Sequence, residues 1–287
     1  MIFQREIRVR PARPEDRQNL ADLIHFEVYV HRHLDWRQPL DWVGCSPYLV
    51  MERGAELLAS LACPPDPPQV AWIRLFAAKS EIAAERAWKA MWPKAFDELK
   101  KIELVRDAAA ISLWSWFSAL LLASGFTETN RVVMLSWERG EVSLKLDHPG
   151  VLIRHMRLDD IPAVERVDAA SFTPIWQNSL ASLELAYHQA AVATVAEDNG
   201  QILGYQISTA TPVGGHLARL AVLPACQGGG IGKALVLDLI WQFQRRGAQR
   251  VTVNTQKDNL ASLAVYRKAG FIPTGEEFPV FQYEPGL

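Results

Sequence analysis

Apolar and polar positions alternate, then switch to a helical period, in a repeating order along the second half of the chain. Ala191 to Ala196 and Ile202 to Ala210 read as strands turned by Asp198-Asn199-Gly200, a hairpin signal. Leu217 to Leu223 is another strand-like run, and it leads through Gln227-Gly-Gly-Gly-Ile-Gly-Lys233 into a helical run, Gly232 to Arg246, ended by Gly247. A fifth strand, Arg250 to Thr255, and a further helix, Asn259 to Ala269 with Gly270 as its C-cap, complete the pattern. The most apolar segment, Ile111 to Ala123, falls short of the roughly 20 residues needed to cross a bilayer and reads as a buried helix.

A glycine-rich turn between a strand and a helix is a phosphate cradle. Side chains at Gly228, Gly229 or Gly230 would hold an anion off the backbone, whereas glycines let consecutive N–H groups converge on it at the positive end of the helix dipole. Counting back from Gly232-Lys233, a Walker A loop would need glycine where Gln227 stands and a hydroxyl where Ala234 stands. The dinucleotide fingerprint fails as well, because Gly228-x-Gly230 is followed by Lys233 and Gly230-x-Gly232 by Leu235. An NTPase and a nicotinamide or flavin enzyme are thereby demoted.

The pattern that fits is Gln/Arg-x-x-Gly-x-Gly/Ala, met by Gln227, Gly230 and Gly232, and a second block follows it, Asn259-Leu-Ala-Ser262-Leu-Ala-Val-Tyr266-Arg-Lys-Ala-Gly270-Phe271. On these two blocks the C-terminal half resembles the GNAT family of acetyl-CoA-dependent N-acyltransferases. The resemblance implies a mixed α/β fold: a strand, two helices, an antiparallel meander, then strand, helix, strand, helix, strand.

The chain also resembles itself. Arg10 to Asp16 overlays Arg154 to Asp160, Trp72-Ile-Arg74-Leu75 overlays Leu217-Ala-Arg219-Leu220, and Gly125-Phe126 overlays Gly270-Phe271, at an offset of 144 or 145. Two GNAT-like domains in tandem are expected, residues 1–140 and 151–287, joined near Glu138 to Gly150 where Arg139-Gly140 and Asp147-His-Pro-Gly150 supply turn residues. At the same offset the glycine loop becomes Ile82 to Ala87, with side chains throughout and a carboxylate at Glu85. Trp114 stands near the place of Asn259, and Leu121 near that of Tyr266. The first copy is therefore expected to be degenerate and not to bind the cofactor. Eight of the ten tryptophans lie in this half (36, 42, 72, 88, 92, 114, 116 and 137) and are expected to fill its core, where a cofactor would otherwise lie, with a face packing on the second domain or an aromatic ligand pocket as the alternatives.

At 287 residues, two domains are the prior. A net charge of −2 offers no general attraction to nucleic acid or membrane. The cysteines Cys45, Cys63 and Cys226 are odd in number without a C-x-x-C pair, so neither a disulfide framework nor a metal site is indicated, and a reducing cytoplasm is expected. Cys226 fits a tight loop better than a nucleophile's place. The opening residues, Met1 to Glu6, lack the apolar stretch of a signal peptide.

The resemblance assigns roles. The amides of Gly228, Gly229, Gly230, Ile231, Gly232 and Lys233 would bind the pyrophosphate of coenzyme A, with Gln227 shaping the loop entry. Leu220, Ala221 and Val222 would pair with the pantetheine arm as an added strand. Tyr266 would protonate the coenzyme A thiolate; Asn259, with Ser262 on the same helix face, would contact pantetheine or an ordered water. His216 is the candidate base, with Glu184 and Tyr187 as weaker alternatives and capture of an already neutral amine as another. Lys233, Arg245, Arg246, Arg267 and Lys268 are candidates for the 3′-phosphate, and Phe172 to Asn178, including Trp176, for the acceptor pocket. These readings define an acetyl-CoA-dependent N-acetyltransferase acting on a small-molecule or peptide amine, as a monomer with an internal pseudo-dimer or as a homodimer. A non-catalytic acyl-CoA sensor or scaffold is the alternative.

Overall fold

The computed structural model describes residues 6–139, 150–212 and 214–283. The opening residues before Glu6 and most of the expected linker, including Gly140 and Asp147 to Pro149, lie outside the described residues.

The chain divides into two compact units, Met1–Thr129 with Pro279–Leu287, and Asn130–Phe278. The first contains β1 (Ile7–Pro11), α1 (Arg17–Phe26), β2 (Tyr29–Arg32), β3 (Tyr48–Arg53), β4 (Glu56–Ala62), β5 (Val70–Trp72), β6 (Leu75–Ala78), α2 (Ala84–Leu99), β7 (Asp107–Ile111), α3 (Ser115–Ala123) and the start of β8 (Thr127–Glu138). The second contains the rest of β8, then β9 (Leu152–His155), α4 (Ile161–Ser171), α5 (Leu180–Gln189), β10 (Val192–Asp198), β11 (Gln201–Thr211), β12 (Gly214–Val222), α6 (Ile231–Arg245), β13 (Arg250–Gln256), α7 (Leu260–Lys268) and most of β14 (Ile272–Tyr283).

In the first unit β1, β3, β4, β6 and β2 form an antiparallel sheet, while β5 and the end of β14 flank β7. In the second unit the order is β8, β13, β12, β11, β10, β9; β13 runs parallel to β12 and antiparallel to β8. Each unit is thus finished by a strand from the far end of the other stretch of chain. This differs from the simple cut between residues 140 and 151. The segments after Gly125-Phe126 and Gly270-Phe271 occupy corresponding places in the repeat, and each pairs in the other copy's sheet.

Duplication is visible in side chains as well as order. Arg10 bridges Asp16 (2.7 Å) and Glu52 (2.8 Å), and Asp16 accepts the Arg13 N–H. In the second unit Arg154 bridges Asp160 and Glu197, both at 2.6 Å, and Asp160 accepts the Arg157 N–H. The arginine in each case holds its aspartate below the ordinary carboxylate range.

Predicted and observed elements differ mostly at their ends. The helix expected over Gly232 to Arg246 is Ile231–Arg245, closed by Ala248 N–H to the Phe243 carbonyl, and α7 ends with Phe271 N–H on the Tyr266 carbonyl, as the glycines at 247 and 270 require. The run Ile111 to Ala123 is not one helix: Ile111 closes β7, and α3 starts at Ser115 after an extended Trp114. No helix among the described residues is long and apolar enough to cross a membrane.

Tryptophans 42, 72, 88 and 92 are buried in the first unit, where Trp88 and Trp92 stack at 5.6 Å against Phe76, Phe117, Phe126 and Tyr283. Trp137 packs instead in the second unit's core, beside Gly270.

His31 of β2 is fully buried, stacked 4.0 Å from Phe117, and its Nε2 meets the Ile73 carbonyl at 3.0 Å. Burial pushes its pKa down to about 4. Between pH 6.5 and 4 the unfolded imidazole takes up a proton that the folded one refuses, so folding stability falls as pH falls through that window. His31 alone accounts for about 3 kcal/mol of the loss. A His31→Asn variant should show a visibly shallower fall of Tm between pH 6.5 and 4. An unchanged slope would remove His31 as its source.

Candidate active site

In the second unit one strand pair parts before its strands end. β12 pairs with β13 from Gly214↔Arg250 to Leu217↔Val253, and there the pairing ends, although β12 runs on to Val222 and β13 to Gln256. On its other edge β12 stays paired with β11 as far as Val222. The strands part because β13 follows β8, which it pairs through Gln256↔Val132. Among the described residues Leu220, Ala221 and Val222 have no strand partner on one edge, and the Val222 carbonyl accepts from the Ser171 hydroxyl at 3.1 Å.

Just beyond that edge lies the glycine loop. Gly228 and Gly230 adopt φ of +80° and +89°, where side chains are strained. A Cβ at Gly228 would meet nothing within 4 Å and one at Gly229 only the Cys226 carbonyl at 3.6 Å, so no protein atom demands a bare loop at these two positions. Gly230 is the N-cap of α6 and has no side chain with which to cap it, leaving the first-turn N–H groups for an anion. Gln227 turns inward and donates to the Val222 carbonyl at 3.0 Å, tying the loop to the end of β12. This is a cradle that fits a pyrophosphate.

α7 packs near the start of α6, Val265 lying 3.8 Å from a Cβ placed at Gly232. Asn259 is its N-cap, its side-chain oxygen accepting the Ser262 N–H at 3.0 Å and its Nδ2 donating to Gln256 at 3.3 Å. Capping the helix therefore engages the group that the resemblance reserves for ligand. Tyr266 is buried, packed 5.8 Å from Phe271. Burial pushes its phenol up, opposed by the neighbouring Ser262 side chain and by the positive charge of Arg219.

His216 is half-buried on β12, its Nδ1 paired with the Thr252 hydroxyl at 2.9 Å. Desolvation lowers its pKa, so the ring is neutral at neutral pH and able to take a proton. Glu184 and Tyr187 lie on α5. Among the phosphate candidates, Arg245 stacks 4.8 Å over Trp241 and Arg246 donates to the Ala191 carbonyl at 2.7 Å, both already engaged.

One group was not foreseen. β12 carries a bulge at Ala218, where Ile207↔Arg219 is followed by Ser208↔Leu217. The next residue, Arg219, reaches Asp168 of α4, a carboxylate with no exposed surface that also binds the Tyr205 hydroxyl. The signal was present in Arg74 and Arg219, two arginines at one offset inside apolar strands.

Residues 161–271 match the acetyltransferase (GNAT) family. A tandem GNAT protein from the clavulanic acid biosynthesis pathway has the same fold, with a TM-score of 0.62 at 15% identity over 97% of this chain and 98% of that one. The class of fold is therefore that of the tandem GNAT proteins, and residues 161–271 of its second unit are similar to the acetyltransferase (GNAT) family, whose members use acetyl-CoA as cosubstrate. The chain is 30% identical over 151 residues to the mycothiol acetyltransferase of Amycolatopsis mediterranei, covering 46% of this chain and 47% of that protein. It is 27% identical over 123 residues to a Bacillus subtilis protein provisionally named a ribosomal protein bS18-alanine N-acetyltransferase, covering 43% of this chain and 82% of that one.

Proposed function

We propose that the protein transfers the acetyl group of acetyl-CoA to a primary amine by direct attack where β12 and β13 part in the second unit. The observation that carries this is the edge of Leu220 to Val222, without a strand partner among the described residues, ending at a glycine cradle that no side chain caps. The amides of residues 228 to 233 hold the pyrophosphate, and the β12 edge holds the pantetheine amides as an added strand. His216 accepts the amine's proton through Nε2, Nδ1 being engaged by Thr252. Tyr266 returns a proton to the departing thiolate; burial keeps its phenol protonated until that step, the Ser262 side chain and the Arg219 charge opposing the rise only in part. The two relatives' names make a small molecule and a peptide N-terminus the acceptor classes to try first. With three unpaired cysteines, we place the protein in a reducing cytoplasm.

The test is release of free thiol from acetyl-CoA in the presence of glucosamine or an alanine-initiated hexapeptide. Acceptor-dependent release supports transfer. Tight acetyl-CoA binding without release from any amine in a broader screen would favour the sensor instead.

The first unit, in this proposal, takes no cofactor. Leu75, Phe76 and Ala77 stand 145 residues before Leu220, Ala221 and Val222, but their edge is already filled: β6 pairs with β4 on one side and with β2 on the other, as Arg32↔Leu75, His31↔Phe76 and Val30↔Ala77. The chain's own strand sits where pantetheine would lie. Calorimetry is expected to give one acetyl-CoA per chain, and two would contradict the filled edge.

A further inference from the structure

We infer that Arg219 is a positioning residue for the acceptor: together with Asp168 it clamps the segment from Phe172 to Asn178 against β12 and so sets where the amine is held. The inference rests on the acetyl-transfer reading above. Arg219 donates from Nε and Nη2 to the two oxygens of Asp168 at 2.7 and 2.8 Å. Nη2 also reaches the Trp176 carbonyl at 2.6 Å, and the guanidinium lies 3.7 Å over the Phe172 ring. Asp168 in turn accepts the Asn178 N–H at 2.9 Å and the Tyr205 hydroxyl. The segment is thus gripped at its start, middle and end by one buried ion pair. Gln177 adds bonds to the Ala169 and Phe172 carbonyls at 3.0 and 2.9 Å.

A buried ion pair is a poor way to gain stability, since desolvation offsets much of its attraction. What a planar guanidinium fork supplies is direction, because it binds a carboxylate bidentately and stacks on an aromatic face at once. The first unit repeats the device 145 residues earlier. Arg74 donates to Asp35 at 2.8 Å and to the Asp66 carbonyl at 2.6 Å, and lies 4.8 Å from the Trp42 ring centre. Asp35 and Trp42 both belong to the stretch that follows α1 and β2, as Phe172 to Asn178 follows α4. An arginine that does this in a unit whose strand edge is filled is holding a segment, not reacting. In the second unit the same grip falls on Phe172 to Asn178, the segment assigned to the acceptor pocket, from the strand that also carries His216 and the Leu220 to Val222 edge.

Two variants test the clamp. Arg219→Lys keeps the charge without the fork, and the double variant Asp168→Asn/Arg219→Gln removes both charges so that neither is left buried alone. In both, deuterium exchange across residues 172–178 should rise about tenfold or more while exchange across α6 stays as in wild type. For whichever of glucosamine and the hexapeptide turns over, KM should rise roughly tenfold while the KM for acetyl-CoA stays within about threefold. Unchanged exchange at 172–178 in folded protein, or both KM values moving together, would overturn the inference. The exchange measurement needs no acceptor, so it decides the clamp even if acetyl transfer itself is disproved.

Discussion

Gly230→Glu is expected to bind no acetyl-CoA measurable by calorimetry, whereas Glu85→Ala, at the corresponding place in the first unit, binds as wild type does. Gly230 sits at φ +89°, where an L-residue costs about 1–2 kcal/mol, and its replacement brings a carboxylate to the dipole end that would otherwise receive phosphate. Charge repulsion, not misfolding, is the cause to isolate, so Gly230→Ala is the companion: it carries the strain without the charge and should weaken binding less. Equal loss in both variants would shift the explanation to loop geometry. Undiminished binding in Gly230→Glu would remove the loop from the cofactor site.

Tyr266→Phe should lower kcat by on the order of 10²-fold with the KM for acetyl-CoA little changed. Phenylalanine keeps the buried ring against Phe271 and removes only the hydroxyl, so the core is preserved and the proton is lost. Steady-state rates of thiol release check this directly. If the two proteins turn over equally, Tyr266 is a core aromatic and the thiolate takes its proton from water.

The second unit was largely legible because its signature residues serve the backbone locally. Gly247 and Gly270 end helices, Asn199-Gly200 turns a hairpin and Gly230 starts α6, and each acts through its own φ and ψ wherever the rest of the chain lies. Long-range choices were not legible. Nothing in the pattern of β8 and β14 says that β8 joins β13 or that the end of β14 joins β7, since duplication makes the two strands alike. The filling of β6's edge by Tyr29–Arg32 is likewise invisible, because four residues of mixed polarity after a helix look like a loop until a partner is present. In the sequence Arg219 stands out only as a landmark of the repeat. A charged residue inside an apolar strand needs a buried counter-charge, and the structure supplies it as Asp168 of α4.

A crystal structure of the complex with acetyl-CoA tests the central claim most directly. The account predicts one molecule per chain, its pyrophosphate on the amides of residues 228 to 233, its pantetheine paired with Leu220 to Val222 and its sulfur facing the Tyr266 hydroxyl. Acetyl-CoA seated away from the β12 edge, or a Tyr266 hydroxyl facing away from the sulfur, would contradict it.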